Sequence, residues 1–274
     1  MDRILRRPEA EARRVIRRGD ALYVGWTAPG RSGNGVEIVD VATGAPRVLR
    51  STAYLVSDVA FANGGHCYAA LGPGQLVDWP DIDGSDDATV TNVDANAPRL
   101  VVHDDALYWG TFWGEIHALR GGRIAGVRTS QGGVAVDGRR VYAGYKDGKI
   151  RAWTHAGKRA AVIEAGSGYP RVAAGPGGVY AAHRTGDIVR YDPETLAEIS
   201  RSRVEPGVYG VTLRVTDDGR LVAWGRGQPV RLLDPDGALL FEQAVGDGRV
   251  EDVTLDGDVL WVAAGGEVWR LPMA

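Results

Sequence analysis

The chain has 274 residues, 44% of them apolar, with 39 glycines and a formal net charge of −3 from 32 Lys/Arg against 35 Asp/Glu. That length supports a large core, and the charge gives no general attraction to nucleic acid or to an anionic membrane surface. One cysteine, Cys67, excludes an intrachain disulfide framework and fits a reducing compartment, so the expected location is cytoplasmic.

The N-terminus is Arg-rich (Arg3, Arg6, Arg7, Arg13, Arg14, Arg17, Arg18) but lacks an apolar core, and Asp2, Glu9, Glu11 and Asp20 interleave with the arginines. It reads neither as a secretory signal nor as a transit peptide. No stretch approaches the ~18 apolar residues of a spanning helix.

From Tyr23 onward one pattern recurs seven times: apolar strand, Gly/Asp turn, second strand, Gly-rich turn, third strand. The second strands read Leu22-Tyr23-Val24, Cys67-Tyr68-Ala69, Leu107-Tyr108-Trp109, Val141-Tyr142-Ala143, Val179-Tyr180-Ala181, Leu221-Val222-Ala223 and Leu260-Trp261-Val262. A period near ~40 built from short strands marks a β-propeller, one small sheet per repeat. The expectation is an all-β, seven-bladed propeller of four-stranded antiparallel blades in a single domain over residues 1–274. Residues 1–18 give the closing strand and first inner strand, and residues 19–271 the seven repeats.

Each repeat divides into strands A to D. In the fifth, Arg171-Val172-Ala173-Ala174 is A, Val179-Tyr180-Ala181-Ala182 is B and Ile188-Val189-Arg190-Tyr191 is C, and D runs over residues 197–203. The intervening turns hold Gly, Pro, Asp and Thr, where reversals need positive φ or side-chain hydrogen bonds. Strand C recurs as Ile38-Val39-Asp40-Val41, Leu76-Val77-Asp78-Trp79 and Val230-Arg231-Leu232-Leu233, several copies leading into an Asp-containing turn and a Gly. On these residues the chain resembles the WD-repeat and quinoprotein-type propellers. The Gly-His pair and regular Trp-Asp of WD repeats are mostly missing. The tryptophan-docking motifs of quinoprotein dehydrogenases are also missing, so no cofactor is implied.

The seventh repeat stops after strand C, while Ile4-Leu5 precedes the first A strand unassigned. Ile4-Leu5 is therefore expected to supply the outer strand of the last blade and close the ring. The competing reading is a short helix over residues 8–18, since Pro-Glu-Ala-Glu-Ala suits a helix start. Two insertions depart from the period: a Gly-rich B–C loop at residues 26–35 and an acidic outer edge at residues 80–97.

The resemblance implies that a ligand or partner meets the face built by D–A and B–C loops. Strand A is expected to open with Arg14, Asp58, Arg99, Gly133, Arg171, Gly210 and Asp252, preceded by Arg13, Ser57, Pro98, Gly132, Pro170, Tyr209 and Glu251. Arg14 could pair with Asp58 and Asp252. Arg99 and Arg171, with Lys146 and Arg184, could form an anion-binding sector; the competing reading is that these groups pair with one another and plug the channel. Trp26, Phe112, Trp113, Tyr145 and Trp224 lie in or beside B–C turns, where exposed aromatics suit stacking or a protein contact.

The expected binding set is thus Arg14, Asp58, Arg99, Gln131, Arg171, Asp252, Trp113, Tyr145 and Lys146. Candidates for proton transfer are Tyr169, Tyr209, Glu251 and His183. The five histidines show no metal-ligand spacing, and Gly84 is misplaced for a calcium loop at residues 81–87. Three functional readings stand: a rigid module that holds a protein segment or small anionic ligand, a lyase, hydrolase or isomerase with an Arg-anchored site, and a structural part of a larger assembly that docks through the acidic edge at residues 80–97. None implies a nucleic-acid or membrane partner.

Overall fold

The computed structural model describes all residues except 29–32, 63–64, 73, 85–86, 94–98, 128, 167, 207–209, 248 and 274. Among the described residues every regular element is a strand. β1 (Asp2–Arg6) precedes a first sheet of β2 (Glu11–Arg18), β3 (Ala21–Thr27), β4 (Gly35–Asp40) and β5 (Pro46–Ser51). The second sheet is β6 (Val56–Phe61), β7 (Cys67–Leu71), β8 (Gln75–Trp79) and β9 (Thr89–Asn92). The third is β10 (Arg99–His103), β11 (Ala106–Gly110), β12 (Glu115–Ala118) and β13 (Gly122–Gly126). The fourth is β14 (Gln131–Val136), β15 (Val141–Tyr145), β16 (Lys149–Trp153) and β17 (Arg159–Glu164). The fifth is β18 (Arg171–Gly175), β19 (Gly178–Ala182), β20 (Asp187–Tyr191) and β21 (Glu198–Arg203). The sixth is β22 (Thr212–Val215), β23 (Leu221–Trp224), β24 (Val230–Leu233) and β25 (Leu239–Gln243). The last blade has β26 (Val250–Asp256), β27 (Val259–Ala264) and β28 (Glu267–Pro272).

Each sheet is an antiparallel meander of four strands, so the molecule is a seven-bladed β-propeller. β1 takes the outer position of the last blade by pairing with β28, in the order β1-β28-β27-β26. Leu5 faces Val268 in that register, as expected of Ile4-Leu5. Residues 11–18 form strand β2, so the helical reading of residues 8–18 does not hold. Pro8 and Glu9 lie in a turn before it, and β2 pairs with β3 along its whole length.

The chain forms two compact units, Met1–Leu100 with Ala244–Ala274, and Val101–Gln243. In each, the core is a series of slabs between facing sheets. In the first unit Trp26, Val24, Val15, Trp261 and Val268 pack together, and Tyr23, Ile38, Val59, Val77 and Trp79 form a second slab. In the second unit Tyr108, Ile116, Val141 and Trp153 form one slab, Tyr142, Ile150, Val179 and Tyr191 the next, and Tyr180, Ile188, Leu213 and Leu221 a third. The recurrent second-strand tyrosine buries its ring there, and in the first and fourth blades its hydroxyl meets a carboxylate. Tyr23 donates to Asp83 Oδ2 at 2.8 Å, and Tyr142 to Asp137 Oδ2 at 3.0 Å.

Candidate functional site

In the first unit the inner strands share a feature absent from the sequence reading. β2, β6 and β26 each carry a one-residue irregularity near their start, at Arg13, Ser57 and Glu251. The residues that follow, Arg14, Asp58 and Asp252, are the positions expected to face the channel. A bulge bends its strand and changes the facing of the residues after it. Here the three side chains are drawn together, with Asp252 and Asp58 buried to 0% and 2% exposure and Arg14 half-buried between them.

Each of the three reaches the inner strand of the next blade at an equivalent point. Asp252 Oδ2 accepts the Val15 N–H at 3.0 Å, Arg14 Nε donates to Val59 O at 3.1 Å, and Asp58 Oδ2 accepts the Leu100 N–H at 2.7 Å. The Arg14 guanidinium also lies 3.1 Å from Asp58 Oδ1 and 3.1 Å from Asp252 Oδ1. Burial opposes its charge, but the two carboxylates more than offset this and its pKa lies above the ordinary arginine value. All four carboxylate oxygens therefore have partners, and the group stitches successive inner strands together. Beside it, Arg13 donates to Glu251 Oε2 at 3.3 Å. Arg99 opens β10 and is half-buried.

In the second unit the antiparallel meanders bring the B–C turns and D–A connections to one end of the blades. The turn between β11 and β12 holds Phe112 and Trp113, 49% and 67% exposed, with their rings edge to face at 5.3 Å. This turn is pinned from below. Gly114 sits at φ 89°, and a Cβ there would lie 2.3 Å from both Thr129 O and Val127 O. The buried Tyr145 donates its hydroxyl to Gly114 O at 3.2 Å, Gln131 N donates to Phe112 O at 3.4 Å, and Lys146 N to Ser130 O at 2.9 Å. Trp113, Gln131, Tyr145 and Lys146 thus belong to one local cluster. Burial pushes the Tyr145 phenol well above its usual range, and the Arg151 guanidinium stands 4.9 Å from its ring centre.

The next connection threads across glycines. A Cβ on Gly144 would lie 1.8 Å from Pro170 O, one on Gly132 3.0 Å from the same atom, and one on Gly148 1.8 Å from Gly166 O. Tyr169 sits in this connection at φ 55°, a conformation unusual for a bulky side chain. Arg171 follows as the first residue of β18, opposite Ala182. His183 is buried and its N–H donates to Asp187 O at 2.8 Å; Arg184 beside it is exposed, and Gly210 packs on its Cα. Tyr209 lies outside the described residues. Of the five turn aromatics, Trp26, Tyr145 and Trp224 are buried at 0%, 0% and 3% exposure, and only Phe112 and Trp113 are open.

Trp26 is covered because its indole donates to Glu37 Oε2 at 2.8 Å, and Arg7 donates to Glu37 Oε1 at 2.7 Å. The signal for the missed bulges is present in the chain. Val56/Val59 and Val250/Val253 are apolar pairs three apart, where an unbroken strand would space them by two.

No family model matches the chain, and no curated protein matches it. Among the solved structures that share its fold, two illustrate the likeness. The WD40 β-propeller domain of Doa1 is 14% identical with a TM-score of 0.82, covering 97% of this chain and 94% of that one. The computationally designed Ika8 protein is 15% identical with a TM-score of 0.72, covering 96% of this chain and 83% of that one.

Proposed function

We propose that this protein is a rigid binding module, and that the D–A and B–C end of Val101–Gln243 receives a segment of a protein partner. The observation that carries this reading is the Phe112–Trp113 pair. Two large aromatics stand exposed on a turn whose backbone is fixed by Gly114, Gln131 and Tyr145. Aromatic anchors held in place before binding lose little conformational freedom on association and dominate interface energetics. By contrast, Arg14, Asp58 and Asp252 satisfy one another inside the first unit, a structural use of those side chains.

The WD40 domain of Doa1 supports the reading at the level of fold alone. Native mass spectrometry of the protein gently purified from its host tests it. A stoichiometric protein partner should be present with the wild type and with Leu240→Ala on the outer strand β25, and absent with Trp113→Ala. Retention of the partner by Trp113→Ala, or a small anion lost only in Arg171→Ala, would overturn the reading.

A further inference from the structure

The outer rim of the sixth blade carries a second surface, separate from the aromatic turn. We infer that its edge strand β25 pairs with β25 of a second copy of this chain, antiparallel about a two-fold axis, to give a reversible homodimer.

A propeller leaves the outer strand of each blade as an edge, and an unguarded edge is a template for another strand. Among the described residues, β1, β5, β13, β17 and β21 each carry arginine, at Arg3, Arg47, Arg123, Arg159 and Arg201 among other positions. β9 has none, but it is four residues long and two of them are threonine. β25 reads Leu-Leu-Phe-Glu-Gln, without Lys, Arg or Pro, and Leu239 and Leu240 are 57% and 54% exposed. Among the described outer strands it alone exposes two large aliphatic side chains.

That exposure has a local cause. Leu239 pairs with Leu233 and Phe241 with Leu232, so Leu240 is an extra residue in β25. A bulge breaks the regular alternation of side chains, and here both leucines stand out from the sheet while Phe241 stays half-buried. Ile199 holds the same extra position in β21, but it stands between Glu198 and Arg201, themselves 2.7 Å apart.

Charge selects the occupant. Glu242, the one ionic residue of β25, is held by Arg231 of the same blade at 2.5 Å. Asp236, in the turn before the strand, is held by Arg190 at 2.7 Å. These charges are met within the chain, which suits a surface that must face its own copy. Antiparallel pairing centred on Phe241 sets Glu242 opposite Leu240 of the second copy, so like charges do not oppose. One such edge per chain means that the pairing closes at two. The contact is short, so the dimer should be weak and should form as concentration rises.

Sedimentation equilibrium of the full chain over a range of concentrations tests this. The wild type should pass from one chain to two. Leu240→Glu sets a new carboxylate opposite Glu242 of the other copy and should leave a single chain. Leu240→Lys sets an ammonium there and should associate about tenfold better than Leu240→Glu. Both should melt as the wild type does at concentrations where all are single chains, because the side chain is exposed. Trp113→Ala should dimerise like the wild type.

A single-chain mass for the wild type at every concentration would overturn the inference. Wild-type association in Leu240→Glu, or equal loss in Leu240→Glu and Leu240→Lys, would overturn the antiparallel β25 pairing. These results leave the Phe112–Trp113 reading standing. Loss of the dimer in Trp113→Ala would instead move the self-contact to the aromatic turn and overturn the assignment to β25.

Discussion

Asp252, itself fully buried, holds Arg14 at 3.1 Å with one carboxylate oxygen and accepts the Val15 N–H at 3.0 Å with the other. The contact joins the inner strand of the last blade to that of the first, and Asp58 repeats it one blade on by accepting the Leu100 N–H. Side chains at positions that fold resemblance assigns to a binding channel here serve to fasten neighbouring blades.

Removing one partner from such a group leaves a buried charge and an orphaned N–H. Asp252→Ala is expected to lower unfolding stability by about 3–5 kcal/mol, with Asp252→Asn costing less because the amide oxygen can still accept from Val15. Urea denaturation checks this, and a loss within the scatter of ordinary surface substitutions would contradict it.

The N-terminal segment does more than add an edge strand. β1 completes the last blade, and Arg7 just beyond it supplies the cation for the buried Glu37, which in turn holds the Trp26 indole. Deleting residues 1–7 removes both. With a loss of at least about 3 kcal/mol, the melting temperature should fall by at least about 5 °C. An unchanged melting curve would show that the closure contributes nothing.

Gly144 marks a close approach. Its missing Cβ is what lets Pro170 O pass, since the added carbon would lie 1.8 Å from that oxygen. Gly144→Ala is expected to destabilise by about 1–3 kcal/mol or more, whereas Gly227→Ala, where a Cβ meets no atom within 4 Å but φ is 81°, should show only the milder backbone strain. Thermal unfolding of the two variants side by side separates close approach from strain.

The repeat was legible because its determinants are local. β-branched and aromatic strands alternate with Gly and Asp turns, and the fifth blade's strands begin within one residue of where the pattern puts them. The pairing of Ile4-Leu5 with β28 was legible from a missing fourth strand. Exposure of the aromatics was not. Trp26 and Trp113 both precede or occupy a Gly-rich B–C turn, and only long-range partners, Glu37 and Arg7 for Trp26, decide which is covered. The bulges were legible in part: the three-residue spacing of Val56/Val59 and Val250/Val253 signals an extra residue, but its place is defined by register against the neighbouring strand.

Surface charge pairs give a pH expectation. The Arg47 hydrogen bond first, then the Thr43 N–H and hydroxyl, hold the Asp40 carboxyl down to about 2. That lies below the ~3.9 of an unfolded chain, so this contribution is fully present above about pH 4 and is lost as pH falls towards 2. An NMR titration of the Asp40 side chain should show the low midpoint, with Arg47→Ala moving it up. A wild-type midpoint at the ordinary value would count against the Arg47 contact.

What holds the blades together and what meets a partner are different side chains in this protein, and paired measurements on Trp113→Ala and the wild type test that division most directly. Trp113→Ala should melt at the wild-type temperature while the stoichiometric protein partner held by the wild type is lost in native mass spectrometry. Retention of the partner by Trp113→Ala, or its loss accompanied by an equivalent loss of stability, would contradict the assignment of the Phe112–Trp113 turn as the contact surface.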